Sequence, residues 1–143
     1  MGFTVIVDTS MFIGALLRAG AGSSRRVLRL CLEQRCQPLM GEKLFLEYES
    51  VLARPQLFKG CPIPHAEREE IFAGFATVCR WVSIHYLWRP NLPDEGDNHV
   101  LELAVAGGAE IIVTQNVRDF RRGELQFPEV QILTPSEFLR KAV

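Results

Sequence analysis

The sequence lacks the features that mark several large protein classes. No apolar run reaches the ~18–20 residues that a membrane-crossing helix needs. Met1-Gly2-Phe3-Thr4 carries no basic residue and Asp8 interrupts the apolar stretch that follows, so no signal peptide is expected. Cysteine is scarce: Cys31, Cys36, Cys61 and Cys79 form neither a CxxC pair nor a Cys/His spacing suited to zinc. Reduced, mostly buried thiols in a cytoplasmic protein are the expectation. Internal repeats, low-complexity tracts and linkers are missing, as is any motif of a covalent nucleophile. Gly20-Ala21-Gly22 lacks the third glycine of a dinucleotide cradle and follows a predicted helix, so a plain turn between helices is expected there. A charge excess is lacking too. The net charge of −1 argues at first against a polyanionic partner, but setting four carboxylates aside for a metal site leaves +3 on the rest of the molecule.

What is present suits one ordinary globular domain. A chain of 143 residues fits a single domain spanning 1–143, which on folding buries roughly 68–70% of its unfolded surface. Hydrophobic residues make up 48% and charged residues 23%, which excludes disorder. Phe3-Thr4-Val5-Ile6-Val7 reads as a strand buried on both faces that stops at Asp8-Thr9-Ser10, where Thr9 or Ser10 would cap a helix over Met11 to Arg18. Ser23-Ser24 would cap a second helix over about Arg25 to Gln34, followed by a short strand at Gln37 to Met40. Glu42 to Ala53 carries Leu44, Tyr48, Val51 and Leu52 on one stripe and ends at Arg54-Pro55. Further helices are predicted at Ala66 to Cys79, at Asp97 to Ala106 with Gly107-Gly108 closing it, and after Pro135. Strands are predicted at Trp81 to Ile84, Ile111 to Val113 and Val130 to Leu133. Alternating strands and helices imply an α/β sandwich with a mainly parallel sheet.

In such sheets functional groups collect beyond the carboxyl ends of strands, at a switch in strand order. Asp8 follows one buried strand, and Thr114-Gln115-Asn116, with Asp119 beyond, follows another. A helix cap accounts for a lone Asp8 equally well. Asp94, Glu95 and Asp97 fall just before or within the first turn of a helix, where the dipole favours acids. As a set, however, they repel one another, and a hard divalent cation would relieve them. Glu47 lies at one edge of its helix's apolar stripe and Glu49 near the other, so spacing does not separate them. His99, two residues after Asp97, points away from that carboxylate at helical spacing.

Four segments together resemble the motifs of PIN domains. Val7-Asp8-Thr9-Ser10 is similar to the opening strand and acidic turn. Leu46-Glu47-Tyr48-Glu49-Ser50-Val51-Leu52, followed by Arg54-Pro55, resembles the second acidic motif, with Glu47 in the metal-site position. Asp94-Glu95-Gly96-Asp97-Asn98-His99-Val100-Leu101-Glu102-Leu103-Ala104 resembles the third, with Asp97 at its metal-binding carboxylate. Val113-Thr114-Gln115-Asn116-Val117-Arg118-Asp119-Phe120 is similar to the fourth. The likeness runs from Val5 to about Leu133 and is nearest to VapC-like toxins and related toxin–antitoxin PIN proteins. One departure is Asn116, which stands where many PIN domains have Asp. The fourth acid is therefore assigned to Asp119, and Asn116 is kept as a neutral ligand or water-positioning group.

The resemblance implies a three-layer α/β/α sandwich with a central, mainly parallel sheet, and a metal-dependent endoribonuclease acting as the toxin of a type II toxin–antitoxin pair. Asp8, Glu47, Asp97 and Asp119 would be the catalytic and metal-binding acids, supported by Thr9, Ser10, Asp94, Thr114 and Asn116. Carboxylates suit Mg²⁺ or Mn²⁺, one ion activating a water and a second stabilising the leaving oxygen. Arg118, Arg121 and Arg122 flank the site and would bind RNA phosphates. An antitoxin protein and a second copy of the chain, forming a dimer, are the expected partners. The alternative is a PIN module that binds RNA or protein without cutting; a metal-dependent phosphatase on a different α/β fold is the more distant rival.

Overall fold

The β-branched run after Phe3 forms β1 (Thr4–Val7), and four further strands follow: β2 (Gln37–Met40), β3 (Arg80–Trp81), β4 (Ile111–Val113) and β5 (Gln131–Leu133). The computed structural model describes residues 2–17, 22–84, 98–121 and 129–142, with backbone alone at 98 and 121. Among these residues the helices are α1 (Thr9–Leu17), α2 (Ser23–Leu32), α3 (Glu42–Leu52), α4 (His65–Val78), α5 (Asn98–Gly107), α6 (Val117–Arg121) and α7 (Pro135–Ala142), with a 3₁₀ turn at Pro55–Phe58.

The five strands form one sheet in the order β3-β2-β1-β4-β5, and every neighbouring pair is parallel. Val5, Ile6 and Val7 pair with Ile111, Ile112 and Val113. These six side chains are all essentially sealed from solvent, as expected of central strands covered on both faces. The chain moves outward from β1 to β2 and β3, then returns to β4 on the other side of β1. With right-handed crossovers, that reversal puts helices on both faces of the sheet. α1, α2, α4 and α7 pack on one another, whereas α5 packs across β1 and β2. The architecture is a three-layer α/β/α sandwich.

An aromatic cluster sets the position of α3. Tyr48 packs edge-on against Phe12 of α1 with ring centroids 5.1 Å apart, and both rings meet Phe75 of α4 at 5.9 and 5.3 Å. Such pairs contribute about 0.5–1.5 kcal/mol each beyond the area they bury. The buried Tyr48 hydroxyl also donates to the Val7 carbonyl at 2.6 Å, tying α3 to the end of β1.

Several boundaries differ from the sequence-based expectation. α1 begins at Thr9, and the Asp8 carbonyl accepts from the amides of Met11 and Phe12, so neither Thr9 nor Ser10 is the cap; their hydroxyls face carboxylates instead. α2 is entered through Gly22, with no side-chain cap, so Ser23 and Ser24 lie inside the helix. β3 is Arg80–Trp81 rather than Trp81 to Ile84, because β2 ends at Met40: Leu39 and Met40 pair with Arg80 and Trp81, and the Val82 amide donates to the Met40 carbonyl at 2.9 Å. α6 and the 3₁₀ turn were not anticipated. The four cysteines are free thiols, three of them buried. Gly20, Ala21 and Arg18 lie outside the described residues.

Candidate active site

The reversal of strand order falls between β1 and β4, so a crevice opens at their adjoining carboxyl ends. Asp8 and Thr114 are the first residues beyond those two strands. The Asp8 amide donates to the Val113 carbonyl at 3.0 Å, and the Thr114 amide donates to the Leu133 carbonyl at 2.9 Å. The ladder thus extends one residue past each strand and brings the two side chains face to face.

Two hydroxyls converge on one oxygen of Asp8. Thr114 Oγ1 donates to Oδ2 at 2.8 Å and Ser10 Oγ donates to the same atom at 2.9 Å. Each hydroxyl accepts in turn from a backbone amide: Asn116 N–H reaches Thr114 Oγ1 at 2.9 Å and Gln115 N–H reaches Ser10 Oγ at 3.2 Å. A hydroxyl has one proton to give. With the amides filling an acceptor position on each, both protons are aimed at the carboxylate. Asp8 is only 3% exposed and Thr114 fully buried.

Glu47 enters from α3, beside the buried stripe of Leu44, Tyr48 and Val51. Thr9 Oγ1 donates to Glu47 Oε2 at 2.6 Å, and His99 Nε2 lies 2.7 Å from Glu47 Oε1. Since a carboxylate only accepts, that nitrogen carries the proton. Consecutive residues Asp8 and Thr9 therefore belong to one network, one as an acid and one as the clamp on a second acid. Glu49, which spacing alone did not separate from Glu47, is exposed.

The two acids respond differently to their surroundings. Burial pushes the Asp8 carboxyl above its ordinary value; the Thr114 and Ser10 hydrogen bonds pull it down, and the charge of Glu47 raises it again. Burial also pushes Glu47 up, but hydrogen bonds from His99 and Thr9, with the charges of His99 and Arg54, outweigh it and leave the carboxyl below its ordinary value.

The structure brings together Asp8, Thr9, Ser10, Glu47, Thr114 and the backbone of Asn116. Asp119 sits in the first turn of α6, its amide bonded to the Asn116 carbonyl at 3.1 Å, and its carboxylate bonds to none of these residues. Among the described residues no group of three or more His, Cys, Asp or Glu is arranged to hold a metal. Arg118 is exposed on α6. Asp94, Glu95, Asp97 and Arg122, and the side chain of Arg121, lie outside the described residues. His99 was missed by sequence reasoning, which measured its spacing to Asp97 on its own helix. Its partner is on α3, 52 residues away, and no local pattern signals that contact.

A family model described as PIN domain matches residues 4–118. The chain belongs to the PIN domain family. Members of this family are generally nucleases, which accords with carboxylates gathered at the switch point. Of solved structures, a chain in the crystal structure of VapBC2 from Rickettsia felis bound to a DNA fragment from their promoter superposes with a TM-score of 0.55 at 11% identity. The match covers 90% of this PIN chain and 96% of that one, and establishes the shared fold. No curated protein matches the sequence. Among the described residues no helix is long and apolar enough to cross a membrane.

The residues present fit a hard divalent cation. Asp8 is buried beside a second carboxylate whose charge disfavours its own ionisation, and a cation placed between them would remove both penalties. The donor set is all oxygen, the ligand type that Mg²⁺ and Mn²⁺ prefer.

Proposed function

We propose that this PIN domain is a Mg²⁺- or Mn²⁺-dependent endoribonuclease and the toxin of a type II toxin–antitoxin pair, working in the cytoplasm. The observation that carries the hydrolytic reading is the pairing of buried Asp8 with Glu47 at the switch point, each fixed by hydroxyl donors on one side. Asp8, Glu47, Asp97 and Asp119 would hold the metal. A divalent cation in such a site supplies a more acidic water and charge neutralisation at the phosphodiester.

The chain's own residues do the rest. Ser10 and Thr114 hold Asp8 in one rotamer, and Thr9 holds Glu47. Asn116 follows Thr114 at the mouth of the crevice, where its amide group can orient a water. Arg118, with Arg121 and Arg122, would draw RNA phosphates to that mouth. The toxin role and an antitoxin partner are supported by the likeness in fold to VapBC2. Dimerisation rests on the resemblance to PIN proteins alone.

The test is cleavage of RNA with Mn²⁺, with and without EDTA, by the parent and by Asp8→Asn, Glu47→Gln and Asp97→Asn. Cleavage should be lost with the chelator and fall at least ~100-fold in each variant. Cleavage that persists through both treatments would reject the metal mechanism. One observation favours a second reading, a PIN module that binds RNA or protein without cutting: Asn116 stands where many PIN domains have an acid. Calorimetry separates the two, because an inert module takes up no Mn²⁺ near neutral pH.

A further inference from the structure

We infer that His99 is a positioning residue for Glu47, holding that carboxylate in the orientation from which it binds a divalent cation. The inference rests on the metal-binding reading of the site. Glu47 projects from α3 on a side chain with three rotatable bonds, and ordering such a chain costs about 1.5–2 kcal/mol of rotamer freedom. Two donors on opposite oxygens offset that cost, Thr9 on Oε2 and His99 on Oε1. Each oxygen keeps lone pairs to spare, since a carboxylate has about four acceptor sites.

His99 is suited to this role. Its side chain is 11% exposed, against 31% for Glu47, so the carboxylate faces solvent while the ring stands behind it. The other ring nitrogen, Nδ1, is buried without a partner among the described residues. The hydrogen bond from Nε2 to Glu47 is thus the one polar contact of the imidazole among those residues. α5 carries the ring and packs against α3, and Thr9 belongs to α1, so three helices together set the position of Glu47. Partners of this kind behind metal-ligating side chains typically change metal affinity by about 10–100-fold when removed.

The test is calorimetric titration of the full chain with Mn²⁺ in the parent, His99→Phe and His99→Gln, with metal-free melting temperatures and crystal structures of the parent and His99→Phe. The Phe ring fills the space without a donor, whereas the Gln amide can place an N–H near the position of Nε2. The Phe variant should bind Mn²⁺ about 10–100-fold more weakly, with Glu47 turned away from Thr9, and Gln should recover most of the loss. Equal affinity in the parent and the Phe variant overturns the inference. So does a loss that tracks the fall in melting temperature and is not recovered by Gln. If the Phe variant does not fold, His99→Asn, too short to reach Glu47, replaces it. A parent that takes up no Mn²⁺ rejects the metal reading itself. The role of His99 is then decided by the crystal structures: an unmoved Glu47 overturns it, and a displaced one supports it.

Discussion

Asp8 and Glu47 have the same functional group and opposite electrostatic circumstances, and the metal-free protein should show it. The Asp8 carboxyl is raised in the folded chain by burial, so the fold holds its proton more tightly than the unfolded chain does. That costs stability at neutral pH and ceases to matter below the ordinary value of 3.8, where both states are protonated. Glu47 is held below its ordinary value despite burial, by donors from His99 and Thr9. It stabilises the fold above 4.5, and that contribution is lost as pH falls through the lowered value. With metal removed, Asp8→Asn should therefore melt higher than the parent at pH 7, and the gain should vanish in acid. Glu47→Gln should melt lower at pH 7 and converge on the parent in acid. Melting curves across pH check both signs. Asp8 was legible in the sequence because an acid ending a doubly buried strand is conspicuous. Glu47 was not separable from Glu49, since both flank the same stripe, and only the aromatic packing of Tyr48 on Phe12 decides which flank faces β1.

Helix ends supply a second kind of test. α5 finishes with Gly108 at φ +70, the Ala109 amide bonded to the Ala104 carbonyl at 2.8 Å and the Gly108 amide to the Val105 carbonyl at 3.4 Å. α2 finishes in the same way, Arg35 to Leu30 at 2.9 Å and Gln34 to Cys31 at 3.0 Å, but with Gln34 at φ +59. This ending suits glycine because a Cβ in the left-handed region costs roughly 1–2 kcal/mol. Gly108→Ala should destabilise the protein by about 1 kcal/mol, and Gln34→Gly should stabilise it by somewhat less, part of the gain being lost to unfolded-chain entropy. Denaturant midpoints measure both. The Gly107-Gly108 stop was readable in advance from its composition; the equivalent stop at Gln34 was not, because no glycine marks it. α6 was missed for a related reason: five residues beyond a strand are too few for apolar periodicity to register.

For the whole molecule, the parallel order β3-β2-β1-β4-β5 was only partly foreseeable. Alternation of strands and helices implied parallel pairing, but the return from β3 across to β4 depends on which strands meet, and no strand of three or four residues carries that information alone. The return places Asp8 beside Thr114, and a cation bound there would hold the sheet and α3 together. Saturation with Mn²⁺ at 100 times its Kd should add about 2.7 kcal/mol, a rise in Tm of several degrees for a domain this size. EDTA should reverse the rise, and Asp8→Asn should show none; scanning calorimetry reads each case.

The hydrogen bond from Thr114 to Asp8 spans 106 positions of the chain, and this bears on how the protein is made. Contacts so distant in sequence form late, because the loop entropy must be met before the pairing repays it. During synthesis, the first hundred residues can leave the ribosome with Asp8 still in water, since neither β4 nor the Thr114 hydroxyl yet exists to enclose it. A growing chain therefore lacks the enclosed Asp8–Thr114 pair, and with it the assembled crevice, until synthesis has passed β4.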